Sequence, residues 1–220
     1  MEIIARIYND FTEKFGVPRQ SGLVPSLESR LIMEPPYRSA EAFRGIEGYS
    51  HLWLIWCFSE NREQPFRATV RPPRLGGNRR LGVFATRSPF RPNRLGLSCV
   101  ELKSVRQDET LGPVLTVSGA DLMNGTPIYD IKPYLPYADA HPEASMPEEL
   151  KRPPLSVVIP EDIKKSLPAD KLPAIREMLG QDPRPAYQDD PERIYGIRFG
   201  SWDLHFQVQG GVLILRDISR

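Results

Sequence analysis

The chain has 220 residues, of which 29 are basic and 28 acidic, giving a formal net charge of +1 at a hydrophobic content of 40%. These values exclude a highly charged disordered chain and allow one large domain or two small ones, each with a real core. The global charge points to no partner. Proline is the outlier at 23 residues, roughly twice the average share of 5%. The prolines are spread along the chain, which calls for short strands and turns. Cys57 and Cys99 lie inside apolar stretches without zinc or redox spacing and read as buried thiols in a reducing compartment. The longest apolar run, Leu52 to Phe58, is too short to span a bilayer, and MEIIARIYND is charged early. Neither a signal peptide nor a transmembrane helix is expected, so the location is expected to be cytoplasmic.

In chain order, Ile3–Tyr8 reads as a first strand, and Arg38 to Gly45 as a short helix with Ala40, Ala42 and Phe43 on its apolar side. HLWLIWCF (51–58) is a continuous apolar run too short for most helices, so it reads as a strand covered on both faces. LGVFAT (81–86), LSCVEL (97–102), VLTVSG (114–119) and PIYDI (127–131) are further short strands between Gly, Pro, Asn and Asp turns. This spacing predicts a small β-barrel or sandwich. After Tyr137 the composition changes: ADAHPEASMPEELKRPP holds four prolines and several acids without apolar periodicity, as a linker does. The chain is accordingly divided into residues 1–139 and a small α+β domain, 140–220, with the linker at its start. There, Asp170–Leu179 predicts a helix capped by Asp170 and stopped by Gly180, with Leu172, Ile175, Met178 and Leu179 on one side. WDLHFQV alternates Trp202, Leu204, Phe206 and Val208 with polar neighbours, and Gln209-Gly210-Gly211 separates it from VLILR, which predicts a terminal hairpin.

Charge is unevenly placed. Residues 62–94 hold nine arginines (62, 67, 71, 74, 79, 80, 87, 91 and 94) against one acid, Glu63, so this segment carries +8 and the rest of the chain −7. Arginine favours planar, bidentate contact with phosphate or stacking on bases. The segment is dense in Pro and Gly, so the arginines sit on shaped loops, where binding groups concentrate. It reads as a polyanion surface, with RNA the most economical ligand; the plainer reading pairs several of these arginines with acids of the second domain. Gly76-Gly77-Asn78 resembles a phosphate-cradling turn but lacks the GxxxxGK[ST] context, and no GxGxxG follows a strand. His51, His141 and His205 show no metal-ligand spacing, and GxSxG is absent. Glu60, Asp121, Asp130 and Asp182 are acids that could serve acid–base chemistry, and the sequence does not pair them.

GVFATRSPFRPNRLGLSCVEL (82–102) and DLMNGTPIYDIKPYLPYAD (121–139) closely resemble the TsaA-like family, specifically TrmO-type tRNA methyltransferases. The likeness extends through FGVPRQSGL (15–23), GIEGYSHLWLIW (45–56), TVRPPRLGGN (69–78) and QDPRPAY (181–187), nearly the whole chain. The resemblance implies a mainly β fold: a single-sheeted β-barrel, a small C-terminal domain and a homodimer. It implies transfer of the methyl group of S-adenosylmethionine to N6 of N6-threonylcarbamoyladenosine, beside the tRNA anticodon, with the donor held in barrel loops near the subunit interface and no metal. An alternative from another class is a non-catalytic RNA-binding barrel that keeps these motifs for shape.

Carried over by motif, the donor site draws on Pro18, Arg19, Gln20, Ser59, Glu60, Arg87, Leu97, Gly125, Thr126, Pro127, Ile128 and Tyr129, with Arg19 or Arg87 for the donor carboxylate. NGTP stands where DGTP is usual in the family, so Asn124 keeps a turn-forming residue and loses a negative charge. The acceptor nitrogen lies beside a carbonyl, which delocalises its lone pair; Asp130 and Asp182, next to matching motifs, are the candidate bases. Arg91, Lys132 and Arg184 are candidates for the threonyl carboxylate, and with Arg71, Arg74 and Arg79 they form the expected tRNA-binding set.

Overall fold

A computed structural model describes residues 1–61, 65–72, 79–151, 153–184 and 190–220. Strands β1 (Ala5–Tyr8), β2 (Glu28–Met33) and β3 (His51–Cys57) are followed by the two-residue β4 (Thr69–Val70) and β5 (Leu81–Gly82), then β6 (Leu95–Asp108), β7 (Gly112–Ser118) and β8 (Pro127–Pro133). Six of them close a barrel in the order β1-β2-β7-β6-β3-β8, antiparallel throughout. Period-two alternation fills it with Ala5, Ile7, Leu31, Met33, Leu52, Leu54, Trp56, Val100, Leu115, Val117 and Ile128.

A short helix, α1 (Pro136–Asp139), precedes β9 (Ser156–Val158), α2 (Glu161–Ser166), α3 (Leu172–Gly180), β10 (Tyr195–Phe199), β11 (Trp202–Gln209) and β12 (Val212–Ser219). The second sheet runs β10-β11-β12-β9, with β9 parallel to β12. Helix α3 buries Ala174, Ile175, Met178 and Leu179. Gly210 and Gly211 both have positive φ, at 55° and 80°, which suits the tight β11–β12 turn. The expected mainly β architecture, a barrel followed by a small α+β unit, is the one observed.

The two cores share one piece of chain. Phe11, Val24 and Leu27, from the connection between β1 and β2, are buried in the C-terminal core, with Phe15 and Val17 packed against it. Phe11 meets Phe199 edge-on at 6.0 Å. Polar contacts fix the same connection: Lys171 pairs with Asp10 at 2.5 Å, and Glu177 accepts from the Ser26 amide (2.9 Å) and hydroxyl (2.6 Å).

Several local expectations are corrected. LGVFAT is strand only at Leu81–Gly82; Val83–Ala85 form a 3₁₀ turn that buries Val83 and turns Phe84 outward. Arg38 to Gly45 holds a 3₁₀ turn at Ala40–Phe43, too short and exposed to propagate as an α-helix. α3 starts at Leu172 behind Lys171 rather than at Asp170, because Pro173 fixes the first turn without a side-chain cap. β3 is buried on its inner face and half-buried on its outer face at Trp53 and Ile55. β6 continues to Asp108, past the apolar LSCVEL, because β7 supplies its partner strand. β2, β4, β9 and β10 escaped the pattern reading.

Inside the barrel Trp56 lies opposite Gly96 on β6. A Cβ at position 96 would stand 2.2 Å from the Trp56 ring, so Gly96 is the space the indole occupies. Gly96→Ala is expected to destabilise by about 1–3 kcal/mol and to shift Trp56 fluorescence; in a Trp56→Leu background the added penalty should largely vanish, as a double-mutant cycle in urea would show. Phe11, 1% exposed, should cost about 3–5 kcal/mol on Phe11→Ala, read by the same denaturation assay.

Candidate active site

The barrel, the β1–β2 connection and the arginine-rich segment enclose a cleft of about 2980 Å³. Trp53, Leu97 and Cys99 bring the outer face of β3 and β6 to it, Pro18 to Ser21 come from the β1–β2 connection, and Phe58 to Asn61 follow β3. Asp121 and Thr126 line it from the segment around the end of β7 and the start of β8.

The chemistry of the cleft centres on Asp121. Trp56 Nε1 donates to Ser98 Oγ at 2.9 Å, and Ser98 Oγ donates to Asp121 Oδ1 at 2.5 Å. The positive charge of Arg87 and the nearby Ser21 backbone N–H also favour the charged form. Burial nevertheless dominates and pushes the Asp121 carboxyl above the usual carboxylate range. A carboxyl whose proton affinity is raised by burial, inside a cleft and held by oriented donors, has the properties of a proton acceptor.

The arginine segment divides by role. Arg91 donates to the carbonyls of Thr86 (2.6 Å) and Val83 (3.4 Å), and Arg94, at φ +49°, donates to Asn61 O at 2.8 Å. Both staple their loops while lining the cleft. Arg87 donates to Gln20 Oε1, joining two residues expected at the donor site. Arg67 and Arg71 are exposed cleft residues. Arg80 bonds Thr69 Oγ1 at 3.3 Å, whereas Arg79 pairs with Glu149 of the second domain at 2.8 Å. The Arg79–Glu149 pair is of the kind the plainer reading of the charge run expects. Arg62, Arg74, Gly76-Gly77-Asn78 and Tyr187 lie outside the described residues.

Of the expected donor-site residues, Pro18, Arg19, Gln20, Ser59, Glu60, Arg87, Leu97 and Thr126 line the cleft together. Gly125, Pro127, Ile128 and Tyr129 stand behind that wall. Gly125, at φ +80°, donates its amide to Ile7 O at 2.7 Å, and Pro127 and Ile128 are buried. The neighbouring Cys57 thiol, a cleft residue, pushes the Tyr129 hydroxyl above the usual tyrosine value. Asn124 Oδ1 accepts the Asn9 amide at 3.0 Å, a turn-shaping role that a carboxylate would fill equally.

The two motif-derived carboxylates have other surroundings. Asp130 accepts the Ile131 amide at 2.9 Å and pairs with Lys132 at 3.0 Å. Asp182, at φ +50°, takes Arg184 in a bidentate pair at 2.8 and 3.0 Å. Neither lies in the cleft wall, although Gln181 does. Asp121 stood in the sequence only as one acid among four. Its distinguishing features are the partnership with Ser98 and the burial, both of which arise from register and tertiary packing.

The chain matches the tRNA-methyltransferase O N-terminal domain over residues 6–140 and the TrmO C-terminal domain over residues 153–220. It is 44% identical to the Escherichia coli tRNA (adenine(37)-N6)-methyltransferase over 94% of this chain and 91% of that one. It is 42% identical to a Pseudomonas aeruginosa protein described as a putative S-adenosylmethionine-dependent methyltransferase, over 92% and 90% of the two chains. The crystal structure of TrmO from Pseudomonas aeruginosa superposes with a TM-score of 0.78 at 33% identity, over 99% of this chain and 97% of that one. Barrel, second domain and cleft together therefore place this chain in the tRNA-methyltransferase O family.

Proposed function

We propose that the chain methylates N6 of adenine 37 in tRNA with S-adenosylmethionine as donor, that the acceptor is the N6-threonylcarbamoyl form of that base, and that it works in the cytoplasm as a homodimer. The observation that carries this reading is the half-buried carboxyl of Asp121, held by Ser98 in the wall of an arginine-lined cleft. The names of its relatives support the reaction, and the family's donor motifs fall largely on that same cleft.

The residues present fit the donor. Arg19 and Arg87 offer guanidinium groups to a carboxylate, Glu60 and Ser59 offer oxygens to an ammonium, and Trp53 and Leu97 offer apolar contact to an adenine. S-adenosylmethionine, when bound, supplies an electrophilic methyl group on a sulfonium. Asp121, in its ionised form, takes the N6 proton and leaves the N–H bond pair on the nitrogen as the nucleophilic pair, the nitrogen's own lone pair being delocalised into the adjacent carbonyl. Ser98 Oγ, donating to Oδ1 at 2.5 Å, aims its carboxylate. Among the arginines and lysines expected to read the threonyl carboxylate, Arg91 lies in the cleft, while Lys132 and Arg184 are ion-paired outside its wall. Arg71 lies in the same cleft and serves the tRNA phosphates. Holding acceptor and donor in line is worth roughly 7–11 kcal/mol of barrier.

Incubation with threonylcarbamoyladenosine-containing tRNA and S-adenosylmethionine should add one methyl group to that nucleoside, read by mass spectrometry of the digested tRNA. Bound but unmethylated tRNA would instead support the RNA-binding alternative. Asp121→Asn should lower kcat by about 100-fold or more, with donor affinity by calorimetry largely kept. Because the base acts only when ionised and its folded-state pKa is raised, wild-type activity should fall with decreasing pH through a limb above the ordinary carboxylate range. Full turnover in Asp121→Asn, with loss in Asp130→Asn or Asp182→Asn, would move the proton acceptor to one of those residues.

A further inference from the structure

Phe84 is a large apolar side chain left 71% exposed, and Phe66 beside it is 60% exposed. Exposure of one such residue means little. Here, however, the two rings lie near-parallel, 27° apart with centroids at 6.3 Å, and the Arg91 guanidinium carbon sits 5.7 Å from the Phe84 centroid. The arrangement is built. Val83, at the head of the 3₁₀ turn, is buried, so the next side chain must face outward. The turn is pinned by the Val83 amide on Ala68 O (2.9 Å) and by Thr86 Oγ1 on Val83 O (2.9 Å). Arg91 is fixed by the Thr86 carbonyl, so ring and cation keep their relation without a ligand.

Phe66, Phe84 and Arg91 line the same cleft as Asp121, and Arg67, Arg71 and Arg87 line it with them. Planar aromatic faces with guanidinium groups in a positively charged groove match an unpaired nucleobase on a phosphate backbone: the π-faces take the base and the cations take the phosphates. A base paired within a duplex has no free face to offer, so the ligand is a single-stranded loop. The half-buried Asp121 carboxyl and the exposed rings are different environments, which suit different nucleotides.

We infer that Phe84, backed by Phe66 and clamped by Arg91, is a stacking platform for an unpaired base flanking the adenine that reacts. This rests on the tRNA methyltransferase reading above and adds a specificity-determining contact to it.

The test uses the full chain, threonylcarbamoyladenosine-containing tRNA, and the variants Phe84→Ala, Phe84→Leu and Phe84→Trp. Stacking requires Ala and Leu to weaken tRNA affinity by about 5- to 100-fold and Trp to stay near wild type. The loss should appear in KM for tRNA rather than in kcat at saturating tRNA. The slope of log affinity against log salt should be unchanged in Phe84→Ala, whereas Arg71→Ala should reduce its magnitude by about one, since only the latter removes a phosphate contact. Wild-type tRNA affinity in Phe84→Ala overturns the platform. So does wild-type affinity in Phe84→Leu, which would mark a merely apolar contact, as does a change of sedimenting mass in Phe84→Ala, which would assign the rings to a second copy of the chain. If the wild type methylates tRNA and the variants match it, the platform alone falls. If the wild type neither binds nor methylates tRNA, the functional reading falls with it.

Discussion

The burial of Phe11, Val24 and Leu27 in the C-terminal core is the constraint on which the rest of the cleft depends. Residues 9–27 leave β1 and return to β2, neighbouring strands of one barrel, and a connection of that length would otherwise be an unsupported surface loop. Anchored at both ends, it becomes a strap whose middle, Pro18 to Ser21, forms one wall of the cleft. The packing is close enough that a Cβ on Gly16, at φ +99°, would meet Ile197 Cδ1 at 2.2 Å. Ser21 and Asp121 both line the cleft. The second domain therefore holds in place one wall of the cleft on the barrel.

The arginine segment shows how one residue type serves binding and architecture together. A guanidinium has five donors in a fixed fork, so Arg91 can hold the Thr86 carbonyl and still present its face to Phe84. Arg94 does comparable work at Asn61 from a left-handed backbone conformation. A lysine at either place could satisfy one carbonyl and would offer no planar face. The Pro and Gly content of the segment makes loops, and the arginines then give those loops their shape.

The barrel was legible where strands alternate or run apolar, as in HLWLIWCF and VLTVSG. It was illegible in β2, where Ser29 occupies an inward position between Glu28 and Arg30 and breaks the hydrophobic alternation. The outer half of β6 is polar because it pairs beyond the barrel core, and β9 is three residues long. At the site, motif matching gathered Arg19, Gln20, Glu60 and Arg87, which the fold indeed brings to one cleft. It could not rank the four acids. Asp130 and Asp182 sit in strings as distinctive as that of Asp121, and what separates them is their partners: two are ion-paired with a neighbour two residues on, and the third is half-buried and bonded to a serine of β6. The exposed Phe66–Phe84 pair carried no sequence signal either, since VFA reads as strand until Val83 is seen to turn inward.

The strap has a consequence for the order in which the molecule is made. Phe11 leaves the ribosome early, but Ile175, Phe199 and Phe206, with which it shares a core, belong to the last quarter of the chain. The first barrel strands can pair while those partners are still unmade, and the strap between them then exposes Phe11, Val24 and Leu27 to water. Contacts of such sequence separation form slowly and leave apolar surface open meanwhile. Completion of the cleft therefore depends on residues made last, since a chain truncated before β10 would lack Phe199 and Phe206, with which the strap shares its core.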